Sequence, residues 1–544
     1  MKDQHQRFAR FQHKALGPCV LLFGLAFCAG NVCLPYYRVI DDAYISYRYS
    51  RHVAQGEGLV WNPGEAPVEG FTNFLLVMVE VPVIAAGLDP LKAAQWLSLL
   101  SVLLIAFLIF DDRRRVVGAS WWSPGPALAA SVFLCIPIYG VHVMMGLETM
   151  VAAVLLVTTY WMLARFLEAA PTAGRAGYRF YGAACLCGWL AGLARPENFA
   201  VAAAMIGLAG SMDALGSGLS GQALRRLMRW ALVAGVFFVI PTLGYHGWRL
   251  HYYGDLRPNS YYIKVLAGGG DSLPGLPELV AFLGEPSIAV LAAAAIFRRS
   301  VRGADALLLP PLLFCLLFYL RAEHIMAFQH RFFIPFVPFF VLAAVPALTA
   351  ALEETAPKVR VVNALCFLVV FGYAFVYSSP LYAHSIRESW PRKPVVEETH
   401  FMLGRLMAQL PNHRELLVVG PDAGAMPYFS ESRWIDPIGL NDNFLARNAG
   451  LPAERLIDYL FDRDPDLWIL CKRGKNFVNS FPGPLGRHGR RIYRDPRFRR
   501  YAYLASFNKN SGGRYQYHYF GKKELPRLDD IRRILAEKSN YRWH

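Results

Sequence analysis

Between residues 15 and 380 the chain passes through one long apolar run after another, separated by short loops that hold most of the charge. A helix needs about 20 apolar residues to cross the hydrocarbon core of a bilayer. Inside that core only helices and closed barrels satisfy their backbone groups. The runs have no alternating pattern, so they read as helices. The composition agrees, with 55% apolar and 18% charged residues, where soluble domains hold about 25% charged residues. Residues 381–544 have the mixed composition of soluble protein. The expected fold is a polytopic α-helical membrane module over 1–380 and a soluble domain over 381–544.

The formal net charge is +16. From residue 381 onward there are 28 Lys and Arg against 18 Asp and Glu, so +10 of it lies in the tail. Anionic lipid headgroups or a phosphorylated lipid match that balance as well as nucleic acid does. Eight of the nine cysteines lie in or beside apolar runs, which excludes a disulfide framework or a zinc site.

Basic residues orient the spans, because they favour the cytoplasmic side. The first run, 15–34, follows Lys2, Arg7, Arg10 and Lys14 and reads as an uncleaved first helix with a cytoplasmic N-terminus. The run 72–88 is interrupted by Glu80, Pro82 and Gly87, and it reads as an outer interfacial segment. The 91–110 helix then runs inward and leaves Arg113–Arg115 inside. Further spans fall near 124–144, 149–164, 180–194, 198–215, 230–246, 275–297, 304–320, 332–350 and 361–379. About eleven spans result, and the tail lies outside.

This orientation places the unusual polar residues on the outer face. The loop 35–71 carries the adjacent pair Asp41 and Asp42, followed by aromatics, Arg48, Arg51 and His52. A carboxylate pair held against a membrane suits proton abstraction or metal ligation; an aromatic belt with charged snorkelers is the structural alternative. Glu148, Arg195, Glu197 and Arg331 stand at the lips of apolar runs, where an ionised group must be paired or face water. The loop 247–272 adds Tyr252, Tyr253, Asp255, Asn259 and Lys264, which supply stacking faces, hydroxyl partners and a cation for phosphate. No nucleotide-binding signature accompanies them. Outside the cytoplasmic membrane an activated sugar has to arrive on a lipid carrier.

Several segments together resemble a known family: 41–75 (DDAYISYRYSRHVAQGEGLVWNPGEAPVEGFTNFL), GLET at 146–149, LARPEN at 193–198, YYGDLRPNSYYIK at 252–264, HRFFIP at 330–335, PDAGAMPYFS at 421–430 and IDPIGLNDNF at 435–444. The chain resembles the GT-C membrane glycosyltransferases that use polyprenyl-phosphate sugars. Within them it is most similar to the mycobacterial terminal β-(1→2)-arabinofuranosyltransferase family. The resemblance implies a GT-C bundle of about 11 transmembrane helices, interfacial helices from the first outer loop to about residue 88, and an extracytoplasmic α/β domain. Asp41 matches the catalytic aspartate, with Asp42 beside it. Arg195, Lys264 and Arg331 are the implied donor-phosphate cations. Glu197, Asp255 and Asn259 are the candidates for sugar hydroxyls, and Glu148, Tyr253, Asp436 and Asp442 for the acceptor or its entrance. A divalent cation (Mg, Mn or Ca) is implied without assignable ligands.

The implied reaction is inverting transfer of arabinofuranose from decaprenyl- or undecaprenyl-phosphate arabinose to a hydroxyl of an envelope glycan, lipid-glycan or pilin-like protein. The implied setting is the bacterial inner membrane, among membrane lipids and without nucleic acid. A transferase for mannose or aminoarabinose on the same carrier is the near alternative. A lipid-linked sugar transporter and an envelope scaffold are the other classes. In the tail, 416–430 and 467–472 read as strands with Gly-rich turns, and 472–500 holds ten Lys or Arg against Asp495 alone.

Overall fold

The fold is that of a computed structural model, which describes residues 2–33, 39–169, 175–216, 218, 220–263, 273–296, 302–321, 328–352, 395–473, 476–478, 488–508 and 515–539. Among the described residues, five helices are long and apolar enough to cross a membrane: Pro90–Val116, Thr149–Ala169, Asn198–Leu215, Gly221–Tyr253 and Gly303–Leu320. The number rises to seven if each of two bent helix pairs is one span. The protein is therefore a multi-pass α-helical membrane protein. The expected span at 361–379 lies outside the described residues.

Proline sets both bends. The run 124–144 is two helices, Pro124–Leu134 and Ile138–Met144, bent by 60° around Pro137. The run 275–297 breaks by 82° between Leu276–Gly284 and Pro286–Ile296. Glu285, just before Pro286, takes ψ 122°, because the proline ring disfavours a helical conformation in the preceding residue. The helix Phe74–Ala85 has 12 residues. At 1.5 Å per residue that is too short to span. The long helix Gly221–Tyr253 contains a π-helical turn at Gly235–Val239. It exposes Leu224, Met228, Leu232, Ile240 and Leu243, each at least 59% accessible. Such an apolar face is stable against lipid and not against water.

The chain divides into two compact units. The first comprises 1–37, 94–247 and 273–388. Its core packs Val102, Ile105 and Ile109 with Phe133, Leu156, Tyr160, Met205 and Phe336. One charged cluster ties three of its segments together. Asp111 pairs with Arg114 and Arg115, both at 2.8 Å; Arg115 also reaches Glu168 at 2.6 Å, and Arg302 reaches Asp112 at 3.3 Å. The sequence assigns residues 111–115, 168 and 302 to one side of the membrane, and the ion pairs bring them to one end of the unit.

The second unit comprises 38–93, 248–272 and 389–544. Its sheet has six strands: β1 Leu417–Val419, β2 Arg433–Ile435, β3 Leu467–Arg473, β4 Asn476–Val478, β5 Tyr501–Asn508 and β6 Tyr515–Lys522. The order is β2-β1-β3-β6-β5, with β4 paired to β3. The pairs β1–β2 and β1–β3 are parallel, and the others are antiparallel. The tail is thus α/β, and β1 and β3 fall where the sequence places strands. The two faces of the sheet differ in chemistry. Trp468, Leu470 and Phe520 face a core shared with Leu456, Ile457 and Leu460 of the helix Ala453–Asp462. Because side chains alternate along a strand, Tyr517 and Tyr519 of β6, paired with Cys471 and Ile469, point to the opposite face.

Candidate functional site

Asp41 stands at the start of the helix Ala43–Ala54, where its carbonyl accepts from Tyr44 N at 3.0 Å. Asp42 occupies the N-cap position of that helix. The helix is buried along most of its length. Tyr44 packs on Phe401, Tyr428 and Phe429, with ring centroids 5.0–5.2 Å apart, and this packing holds the Asp41 carboxylate against the sheet domain.

Three donors meet that carboxylate. Gly424 N donates to Oδ2 at 3.0 Å, Ala425 N to Oδ1 at 2.8 Å, and His400 Nδ1 stands 2.9 Å from Oδ1. Gly424 has to be glycine, because a Cβ there would lie 1.9 Å from the Asp41 carbonyl oxygen. His400 lies on the helix Val395–Met407, 2% exposed. Its other nitrogen, Nε2, is 2.7 Å from the Tyr517 hydroxyl and 3.6 Å from Asp422 Oδ2. The Tyr517 hydroxyl donates to Asp422 Oδ2. Asp422 follows the carboxyl end of β1, and Tyr517 extends from the non-core face of β6, so the strand register brings them together.

Asp41, His400 and Asp422 form a cluster able to coordinate a divalent metal: one ligand atom from each lies within 4.8 Å of the others. Carboxylates and imidazole are suitable donors. The ring orientation is different from that of a chelate. Nδ1 faces Asp41 and Nε2 faces Asp422, and one ion takes only one nitrogen of an imidazole. As arranged, the ring bridges the two carboxylates.

The other assigned residues of this unit are held as follows, beside a pair the sequence reading leaves unassigned: Glu69, buried in the first loop, pairs side-on with Arg249, with Oε1 3.0 Å from Nε. Asn259 is buried and donates its amide to Leu440 O at 3.2 Å. Asp255 accepts from Arg257 N at 3.0 Å and Tyr262 OH at 2.8 Å, and pairs with Arg447 at 3.1 Å. Tyr253 is buried, with its ring 4.9 Å from Tyr252. Asp436 accepts from Ile438 N and Asn441 N, and burial pushes its carboxyl up to about 6. Asp442 caps the helix Asn443–Arg447 through Leu445 N at 3.0 Å and accepts from Tyr459 OH at 2.8 Å. Lys264 lies outside the described residues.

In the first unit Glu148, Arg195, Glu197 and Arg331 converge. Arg195 Nε donates to Glu197 Oε1 at 2.6 Å, and its Nη1 lies 3.4 Å from Glu148 Oε1. Arg331 donates to the same Glu148 oxygen at 3.0 Å, and Tyr319 OH donates to Glu197 at 2.7 Å. Two arginines and two glutamates thus form one network, with Glu148 and Arg195 buried and Glu197 and Arg331 partly so. The preceding backbone is strained. Gln329 and His330 have φ of 51° and 57°, and His330 is held by Glu278 at 2.8 Å and Glu285 at 3.6 Å. Such conformations cost about 1–3 kcal/mol each and concentrate at functional sites.

The sequence reading singles out Asp41 but not His400 or Tyr517. These lie 359 and 476 positions away along the chain, and nothing in their local sequence marks them. The alternating tyrosines of YQYHYF at 515–520 are the one available hint: they signal a strand with one polar-aromatic face.

Solved structures share this fold. ArnT from Cupriavidus metallidurans bound to undecaprenyl phosphate is similar over 92% of this chain and 98% of its own, with TM-score 0.57 and 14% identity. The apo form of the same protein is similar over 83% and 92%, with TM-score 0.53 and 13% identity. The archaeal oligosaccharyltransferase AglB from Archaeoglobus fulgidus, in complex with an inhibitory peptide and a dolichol-phosphate, is similar over 85% and 69%, with TM-score 0.52 and 12% identity. The chain therefore shares the fold of these structures. A family described as "Domain of unknown function (DUF8728)" matches residues 390–520. No curated protein matches the sequence.

Proposed function

We propose that the protein is an inverting membrane glycosyltransferase that moves a sugar from a polyprenyl-phosphate donor to a hydroxyl of a cell-envelope acceptor. The observation that carries this reading is the Asp41 carboxylate, held in a single orientation by Gly424, Ala425 and His400 at the start of the first-loop helix. A general base needs a fixed geometry toward the proton it takes. In the proposed step Asp41 removes the acceptor hydroxyl proton, and the oxygen attacks C1 of the sugar from the face opposite the phosphate. The C1–O bond to phosphate breaks, and polyprenyl phosphate leaves with its electron pair. Arg195, Arg331 and Lys264 are the cations assigned to the leaving phosphate. Asp42 is assigned as the neighbour that positions Asp41 or substrate. Glu197, Asp255 and Asn259 are assigned to sugar hydroxyls, and Glu148, Tyr253, Asp436 and Asp442 to the acceptor or its entrance.

Structures holding undecaprenyl phosphate and dolichol-phosphate are among those with this fold, which supports a lipid-phosphate donor. That support is at the level of the whole fold class. It favours a broader assignment, to a sugar such as mannose or aminoarabinose, over arabinofuranose and the mycobacterial family. The proposed setting is the inner membrane, with about eleven spans and the soluble domain outside.

The test is transfer from defined polyprenyl-phosphate sugars by membranes carrying the wild type or Asp41→Asn, each with and without a chelator. The expected result is a covalent product with the wild type and a loss of about 10²-fold or more in the variant, with the unfolding temperature kept within a few degrees. Unchanged transfer by Asp41→Asn removes Asp41 from the mechanism. Translocation of the lipid-linked sugar without a covalent product turns the reading to a transporter.

A further inference from the structure

We propose that His400 is a positioning residue that fixes Asp41 through a bridge of hydrogen bonds reaching back to Asp422, and that it is not a metal ligand. The inference rests on the role of Asp41 proposed above and extends it to residues of the C-terminal domain.

The argument is an inventory of donors. Asp41 as a carboxylate only accepts, so the His400 nitrogen 2.9 Å from its Oδ1 must carry the hydrogen of that bond. Asp422 as a carboxylate also only accepts, and it takes the single hydroxyl hydrogen of Tyr517. The Tyr517 oxygen is then the acceptor toward His400 Nε2, 2.7 Å away. Both ring nitrogens therefore donate, one to each end, and the imidazole is clamped along a line from Asp41 to Asp422. Burial tightens the clamp: His400 is 2% exposed, Asp422 4%, and Tyr517 is fully buried. A metal ligand in the same place would turn one nitrogen, bare of hydrogen, toward an ion shared with both carboxylates. The observed ring instead divides its nitrogens between them.

Two backbone donors, Gly424 N and Ala425 N, add to the hold on Asp41. They follow Asp422 by two and three residues, so one short turn after β1 both receives the far end of the bridge and donates at the near end. Removing His400 takes one donor away from the Asp41 carboxylate and loosens its orientation. A reacting group misplaced by about 1 Å loses roughly 10²-fold in rate.

The experiment compares wild type, His400→Ala, His400→Asn, His400→Gln, Asp41→Asn and the Asp41→Asn/His400→Ala double variant in the full-length protein. Transfer from a polyprenyl-phosphate sugar and thermal unfolding are both measured. The Asn amide nitrogen occupies the place of Nδ1, whereas that of Gln occupies the place of Nε2. We expect His400→Ala and His400→Gln to lower kcat roughly 10- to 100-fold with little change in donor KM. His400→Asn should restore most of that loss. We also expect the unfolding shifts of Asp41→Asn and His400→Ala to be non-additive in the double variant.

Asn no better than Gln, or additive unfolding shifts, overturns the bridge. A wild-type rate lost to chelator and restored by a divalent cation, with His400→Ala indifferent to both, overturns it in favour of a metal ligand. If the wild type transfers no sugar, the proposed function fails. The unfolding comparison still decides whether the bridge exists.

Discussion

Single side chains in this protein are held by how many hydrogen-bond partners their burial allows. Asp436 is buried, and its carboxyl sits near 6, above the range of an exposed aspartate; burial is the main cause, opposed by the N–H donors of Ile438 and Asn441. The folded state therefore binds this proton more tightly than the unfolded chain does. The stability it contributes is present in full below the unfolded value near 4, and it is lost as the pH rises through about 6. Other carboxyls move the opposite way: Glu65 is lowered by Arg433, Asn62 and Arg463 against the effect of its burial. The informative quantity is thus the difference between variants. Between pH 6.5 and pH 5 the wild type should gain unfolding temperature, by a few degrees, relative to Asp436→Asn, as followed by tryptophan fluorescence.

Gly424 has a different constraint, that of close approach to Asp41. In Gly424→Ala the new methyl collides with the Asp41 backbone and carboxylate. Overpacking of this kind costs about 1–3 kcal/mol. Because the collision falls on the assigned base, transfer should drop by much more than the change in folded fraction explains, and parallel unfolding and activity curves separate the two effects.

At the scale of elements, a buried guanidinium adds to the aromatic packing that joins the helix Ala43–Ala54 to the sheet domain. Arg48 Nε donates to Trp61 O at 2.9 Å, Nη2 to Ser432 O at 2.8 Å and to Asn62 Oδ1 at 3.2 Å, and Nη1 to Pro427 O. Burial pushes the group down to about 9, and it remains charged at neutral pH. Its ring contact with Trp61, at 4.7 Å, adds to the hold. Arg48→Ala strands several buried acceptors, each worth roughly 1–3 kcal/mol when left unmade. Arg48→Lys restores the charge but cannot reproduce the planar fork. We expect the unfolding midpoint to fall in the order wild type, Lys, Ala, with the Lys variant nearer to Ala. Equal midpoints for Lys and wild type would show that the charge matters and the fork does not. The prolines at 137 and 286 act at the same scale, because each converts one apolar run into two helices whose directions differ by 60° or 82°.

At the scale of the whole molecule, the apolar content is concentrated in the candidate spans, and the sheet belongs to a second unit assembled from three stretches of chain. The positive-inside reasoning places that unit outside the membrane. Its exposed positions allow a direct check. Cysteine introduced at Glu454, which is 70% exposed at the side chain, should react with a membrane-impermeant maleimide in intact spheroplasts. Cysteine at Leu215, at the end of its helix and 50% exposed, should react only after permeabilisation. The reverse pattern would invert the topology and move the proposed chemistry to the cytoplasmic side.

The sequence alone determined the membrane class, most helix positions, the short apolar helix near residue 80 and the α/β character of the tail. Each of these follows from periodicity, length and local charge, which act over a few turns. It also singled out Asp41, because a carboxylate pair beside an apolar run is conspicuous. The two helix bends escaped it, since each run is apolar on average across its proline and hydropathy carries no direction. Strands β5 and β6 escaped it because Tyr and Phe recur through both, and the alternation of Tyr with Gln516 and His518 in β6 is a weak signal. The partners of Asp41 were beyond its reach for a different reason. Register on β6 and the turn after β1 decide that Tyr517, Asp422 and His400 meet a residue more than 350 positions earlier. Only tertiary packing fixes contacts of that range, because no short-range preference records which buried donor faces which acceptor.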